Sequence, residues 1–323
     1  MVTDAYSAPL TTRMRNDTMS ESTVPRLNDL SNELAELVAS SAQHIVAVRL
    51  DGGRSVSGIV WRPGHVVTAA ERLDDEPTSL RVTSGTAGES EATLLGRDLS
   101  TDVAVLSVAA VTGAGLSARH AATPRAGQLA LAVGRSAEHG PIVNFGGVAV
   151  VGGAWHSRLG GRIDRLVRVD ASLLRAAEGG AVLDLEGRLI GMAVVGPRRA
   201  LLAIPSETIG RVVEQLAAKG RISRGYLGVA MQPVRLPEAL QKLANTGVGL
   251  LVSSVDPQSG AALAGMLLGD VIVGWNGEPV RDYRQVQRSL APESVGSSLT
   301  VTLVRAGGLI TLRLTIGERP SLG

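Results

Sequence analysis

The spacing of apolar positions changes several times along the chain, and each change marks a boundary. The first 26 residues carry Thr, Ser, Asn, Asp, Pro and scattered Arg without a periodic apolar face, so they are expected to be disordered. In LNDLSNELAELVA (27–39), Leu27, Leu30, Leu34 and Leu37 recur at helical spacing and predict a short amphipathic helix. From Ala42 to about Ile204 the pattern breaks into short segments rich in β-branched residues, split by Gly, Pro and Asp. They are HIVAVRL (44–50), SVSGIVW (55–61), HVVTAA (65–70), VAVLSV (103–108), LALAV (129–133), RLVRV (165–169), RLIGMAVV (188–195) and ALLAI (200–204). So many strands without intervening helices predict a sandwich or antiparallel barrels. Pro205 then opens a helix whose face is Ile209, Val212, Val213 and Leu216 and whose stop is Gly220. Residues 225–317 form a second unit of strands, with two short helical stretches at 259–266 and 282–291 and a closing strand pair at 298–316. The expected organisation is a disordered 1–26, a first domain over 27–220 and a second over 221–323.

Composition sharpens this picture. A length of 323 residues suits two domains better than one. Aromatic residues make up only 2%, with Phe145 the single Phe, so the cores must be built from Val, Leu, Ile and Ala. The net charge is +2, the two lysines are Lys219 and Lys242, and the arginines are spread out, so no nucleic-acid partner is expected. The absence of Cys excludes disulfides, zinc–thiolate sites and cysteine nucleophiles. His44, His65, His120, His139 and His156 show no metal-ligand spacing, and no metal or cofactor is expected. The longest apolar stretch, Pro141 to Trp155, is too short and too Gly-rich to span a membrane. The first 30 residues hold no apolar run of the kind an export signal needs, which gives the expectation of a cytoplasmic protein.

Five ordered segments carry a family likeness: GHVVTAAERL (64–73), GRDLSTDVAVLSV (96–108), VDASLLRAAEGGAVLDLEGRLIGMAV (169–194), LLAIPSETIGRVVEQL (201–216) and RGYLGV (224–229). Over about residues 40–317 the chain resembles HtrA-type serine proteases. The resemblance implies a mainly β protein, a chymotrypsin-like double six-stranded β-barrel followed by a PDZ domain with two short helices. It also implies where a catalytic triad would lie. The family's histidine position holds Glu71, its aspartate position holds Asp102, and its serine position, before Gly179 and Gly180, holds Glu178. The family's oxyanion turn aligns with Ala176 and Ala177.

These replacements bear directly on acyl transfer, which needs a neutral base within reach of a hydroxyl. A carboxylate at 178 has no hydroxyl proton to give up, and Glu71 lacks the second ring nitrogen that links base to orienter. Ala at the turn resists positive φ. The resemblance therefore implies a catalytically degenerate member. Three like charges in one cleft would require compensation by a shared proton, a hard cation, or an arginine. Arginine is favoured for its bidentate pairing, with Arg72 and Arg175 beside the substituted positions. His65 and Ser172 read as structural.

The loop Tyr226, Leu227, Gly228 and Val229 resembles the carboxylate-binding loop of PDZ domains. A turn of this kind presents backbone N–H groups into one hollow, and the following strand can pair with a peptide. Val286 and Leu290, at i and i+4 on helix 282–291, are expected to line the other wall. Arg281, Arg284 and Arg288 read as a solvated face of that helix. The reading that follows is a non-catalytic adaptor that binds protein or peptide C-termini. The alternatives are a hydrolase with a rebuilt carboxylate site, or a regulatory subunit of an active HtrA-type paralogue. Homo- or hetero-oligomers with such a paralogue are open, because the resembling family forms trimers while this N-terminus offers only Tyr6 as an aromatic contact.

Overall fold

Strands β1 (Ile45–Arg49), β2 (Ser55–Arg62), β3 (His65–Ala69), β4 (Leu80–Ser84), β5 (Gly88–Asp98) and β6 (Val103–Ser107) close into a barrel in the order β1-β2-β3-β6-β5-β4. Strands β7 (Leu129–Ser136) and β8 (Gly140–Gly152) lead through the small pair β9 (Trp155–His156) and β10 (Arg162–Ile163) to β11 (Leu166–Asp170), β12 (Ala181–Leu183), β13 (Leu189–Val195) and β14 (Leu201–Pro205). The second barrel closes in the order β11-β14-β13-β12-β7-β8. The computed structural model describes residues 23–318 apart from 75, 76, 78, 86, 87, 119, 223, 224 and 291–293, and omits the side chains of 23–25, 198, 284, 287 and 288. The segment 1–22, including Tyr6, lies outside the described residues.

The apolar runs are continuous because both faces of these strands are covered. Along β6, Val103 and Val105 face the joint between the barrels, while Ala104 and Leu106 fill the first barrel's interior. The period of two thus sorts one strand between two cores. The joint also takes Leu131, Val133, Leu183 and Met192 from the second barrel. Helix α2 (Ser206–Lys219) closes it with Ile209, Val212, Val213 and Leu216, all buried. Gly220 ends α2 in the left-handed region (φ 67°), its N–H donating to the Leu216 carbonyl.

Helix α1 runs Thr23–Ala42, longer than the expected 27–39, so residues 23–26 are helical where disorder was expected. Pro25 is compatible with that start because first-turn N–H groups have no intrahelical partner. Leu37 and Val38 pack on the inter-barrel core, but Leu27 and Leu30 stay about half exposed.

The second unit begins with β15 (Gly225–Tyr226) and β16 (Val229–Arg235), then α3 (Glu238–Ala244), β17 (Val248–Val255), α4 (Gly260–Leu263), β18 (Val271–Trp275), β19 (Glu278–Pro279), α5 (Tyr283–Ser289), β20 (Ser298–Arg305), β21 (Gly308–Thr315) and β22 (Gly317–Glu318). Its main sheet has the order β16-β17-β18-β20-β21, which leaves β16 as an edge. Helices α4 and α5 fall where helical stretches were expected. Helix α3 is additional, and its start behind Pro237 and its stop at Asn245 (φ 51°) are ordinary helix punctuation.

Candidate functional site

Strand β3 ends at Ala69 and turns through a short 3₁₀ segment, Ala70–Arg72, which puts Glu71 at the surface. The facing turn between β5 and β6 is organised by buried Asp98. Its carboxylate accepts the Ser100 N–H (3.0 Å), the Ser100 hydroxyl (2.6 Å) and the Thr101 hydroxyl (2.8 Å). That turn carries Asp102 in a left-handed backbone conformation (φ 58°). Its Oδ1 accepts the Glu71 N–H at 2.7 Å and its carbonyl accepts the Ala70 N–H at 3.3 Å. Burial pushes the Asp102 carboxyl up to about 7, the Glu71 and Glu178 charges push the same way, and the Glu71 N–H and Arg72 pull against them.

Glu178 lies on the opposite wall, after the 3₁₀ turn Arg175–Ala177, and is only 2% exposed. Arg72 grips it bidentately, with Nε to Oε2 at 2.6 Å and Nη2 to Oε1 at 3.0 Å. The Val195 N–H on β13 donates to the same Oε1 at 3.2 Å. Of the two arginines expected as compensators, Arg72 makes the pair, while Arg175 is exposed at the head of the turn. The three carboxylates therefore do not meet at one point. Glu178 is turned in and paired, Asp102 is half-buried, and Glu71 shares its backbone with the site but is itself exposed. Among the described residues, no group of three His, Asp or Glu side chains is placed to hold a metal ion.

The turn expected to form an oxyanion hole bonds three of its N–H groups within itself. The Ala177 N–H donates to the Leu174 carbonyl (2.9 Å), the Glu178 N–H to Arg175 (3.2 Å) and the Gly180 N–H to Ala177 (3.0 Å). Ala176 and Ala177 are absent from the left-handed residues, whereas Gly179 has φ 85°. A residue the sequence reading missed, Ser57 on β2, latches this turn to the first barrel. Its hydroxyl donates to the Ala176 carbonyl (2.6 Å) and accepts the Arg135 N–H (2.8 Å), and its own N–H donates to the Glu178 carbonyl (2.9 Å). The available signal was a hydroxyl inside the apolar run SVSGIVW. His65 Nδ1 lies 3.1 Å from the Pro63 carbonyl, and exposed Ser172 accepts from Asn144 at 3.4 Å.

In the second unit, the loop Tyr226–Val229 is held by its neighbours. The Tyr226 hydroxyl donates to Asp256 (3.0 Å), the Asp256 N–H donates to the Gly228 carbonyl (2.7 Å), and Leu227 is buried in the core. Gly228 is left-handed (φ 76°), and a Cβ there would lie 2.0 Å from the Ser259 Cβ, so both conformation and space demand glycine. Val286 departs from expectation. It is fully enclosed in the core and does not line a groove wall, while Leu290 is half-buried. Val286 packs in the domain core with Leu227, Val252, Leu299 and Ile316, and Leu290, just past the end of α5, packs against the same core. Arg281 is exposed, and the side chains of Arg284 and Arg288 lie outside the described residues.

Two closed six-stranded barrels in series, followed by an edge-stranded sheet domain, define the chain as an HtrA-type protein: a trypsin-like peptidase domain followed by a PDZ domain. The trypsin-like peptidase domain family matches residues 56–192, and the PDZ domain family matches residues 225–316. Similar curated proteins include a probable periplasmic serine endoprotease, DegP-like, from Rhizobium meliloti. It is 32% identical over 92% of this chain and 59% of its own length. The periplasmic pH-dependent serine endoprotease DegQ of Escherichia coli is 29% identical over 82% of this chain and 58% of its own. The chain thus spans little more than half the length of these relatives. Among solved structures, the serine endoprotease from Yersinia pestis superposes with a TM-score of 0.67 at 27% identity, covering 88% of this chain and 98% of that one. The HtrA-type protease AlgW with a decapeptide superposes at 0.64 and 23% identity, covering 89% and 99%, and bears on the fold alone. The relatives' names point to the periplasm, which corrects the cytoplasmic expectation drawn from residues 1–30.

Proposed function

We propose that this chain is a non-catalytic HtrA-type protein that acts as an adaptor, capturing protein or peptide C-termini through its PDZ domain. The observation that carries the reading is the ion pair at the nucleophile position. Glu178 is buried, bound by Arg72 and capped by the Val195 N–H, so the space an attacking hydroxyl and its base would need is filled by a satisfied salt bridge. The Glu178 N–H supports it, because a donor already spent on the Arg175 carbonyl is poorly placed for a developing oxyanion. The loop at 226–229 and the exposed edge of β16 supply the binding half of the reading. Two measurements on the purified protein test it. A fluorophosphonate label, which needs an activated hydroxyl, should not react, and unfolded casein should remain uncut. Peptides with a free apolar C-terminus should bind at about micromolar Kd, and their C-terminal amides should bind far more weakly. Casein cleavage that disappears in Glu178→Ala would refute the adaptor reading.

A further inference from the structure

We propose that Pro233 ends the peptide register in the PDZ groove, so that the main chain of this domain reads the last four residues of a bound C-terminus and no further. The inference rests on the peptide-capture reading and adds a specificity-determining residue to it.

The pairing of β16 fixes which of its backbone groups face outward. Its register with β17 runs from Val229↔Val255 to Arg235↔Val248. One step beyond, the Leu236 N–H donates to the Gly247 carbonyl at 3.1 Å, and at the other end the Gly228 carbonyl accepts the Asp256 N–H at 2.7 Å. Val252, opposite Met231, sends its own N–H away from β16 to the Asp270 carbonyl at 2.8 Å. In an antiparallel ladder bonded and non-bonded pairs alternate. The even-numbered residues from Gly228 to Leu236 therefore bond into the sheet. Val229, Met231, Pro233 and Arg235 turn their backbone groups to the free edge. The irregularity at Ala230/Met231 inserts the extra residue Ser253 on β17, which leaves the alternation of β16 unbroken.

A peptide whose carboxylate sits in the loop before β16 runs antiparallel to that strand. Its last residue then lies opposite Val229, its third from the end opposite Met231 and its fifth opposite Pro233. Val229 and Met231 each offer an N–H and a carbonyl. Pro233 offers only a carbonyl, and its ring stands where the fifth residue's carbonyl would dock. Proline at this position breaks no bond inside the sheet, so its whole effect falls on an added strand.

Calorimetric titration of the full chain with N-acetylated peptides tests this. The peptides share one apolar C-terminus and are extended with alanine to three, four, five, six and eight residues. Affinity should rise to four residues and then change by less than about two-fold. Pro233→Ala should leave the three-residue peptide unchanged and tighten the four-residue and longer peptides about five-fold, the worth of one net hydrogen bond, because the acetyl carbonyl of the four-residue peptide already stands at the fifth residue's carbonyl. A climb of about five-fold or more from four to six residues in the unmutated chain would overturn the inference. So would a folded Pro233→Ala protein that gains nothing with long peptides. The unmutated length series decides even if circular dichroism shows that the variant has not folded. Failure of every free-acid peptide to bind overturns peptide capture itself, an outcome distinct from any length dependence.

Discussion

Replacing Asp102 by Asn isolates the ionisation of this partly buried carboxyl. Asn keeps the side-chain oxygen that accepts the Glu71 N–H at 2.7 Å, and it is among the few residues that tolerate the φ of 58° found there. Only the ionisable proton is removed. In the fold the carboxyl is pushed up to about 7, whereas an unfolded chain has it near 3.9. The folded state therefore holds its proton to higher pH. The stability linked to that proton is fully present below pH ~4 and is lost as pH rises through ~7. The full gap corresponds to roughly 4 kcal/mol, and solvent reaching a half-buried group reduces this to on the order of 2–3 kcal/mol. Urea unfolding of both proteins between pH 4.5 and 8.5 gives the difference directly, because every other titrating group is shared. The two should be alike near pH 4.5, and the Asn protein should be more stable above pH 7, with the gap opening in between. Parallel profiles would refute the argument that burial raises the pKa of this carboxyl.

The Arg72–Glu178 pair should behave as a buried unit. Arg72→Ala leaves Glu178 enclosed without its cation and should cost about 2–4 kcal/mol, while Arg72→Met with Glu178→Leu should cost less than the sum of the single changes, as a denaturant double-mutant cycle would show. Ser57→Ala removes the donor to Ala176 and the acceptor for Arg135 and should lower stability by about 1–3 kcal/mol in the same assay. Gly228→Ala forces a side chain against Ser259 in a left-handed position, and a titration with free-acid peptide should show binding lost while the barrel domain's melting transition stays in place.

Much of this architecture is legible in sequence because its strands are buried on both faces. Continuous runs such as VAVLSV and RLIGMAVV stand out for that reason, and α2 announces itself through Pro205, a four-residue apolar face and Gly220. Strand β5 reads GESEATLLGRD and is half exposed, so its pattern resembles a polar loop. Strand β12 is only three residues long. The positions of Glu71, Asp102 and Glu178 follow from segment order, but their arrangement does not. Which arginine turns inward depends on contacts 106 residues apart in the chain, and the latch by Ser57 spans 119. Val286 escaped because helical spacing marks a face without saying whether that face meets a ligand or a core.

The glycine after Glu178 changes how such sequences ought to be compared. A Cβ on Gly179 would lie 2.3 Å from the Ser57 carbonyl and 2.7 Å from the Thr68 hydroxyl, both contributed by the first barrel. Here glycine is demanded by the seam between two barrels, whether or not any bond is ever broken beside it. Selection for folding alone would then preserve a Gly-Gly pair long after a nucleophile had been exchanged. Surveys that count that pair as a signature of hydrolysis would enrol scaffold proteins among enzymes, and the residue immediately before the pair is the better discriminator.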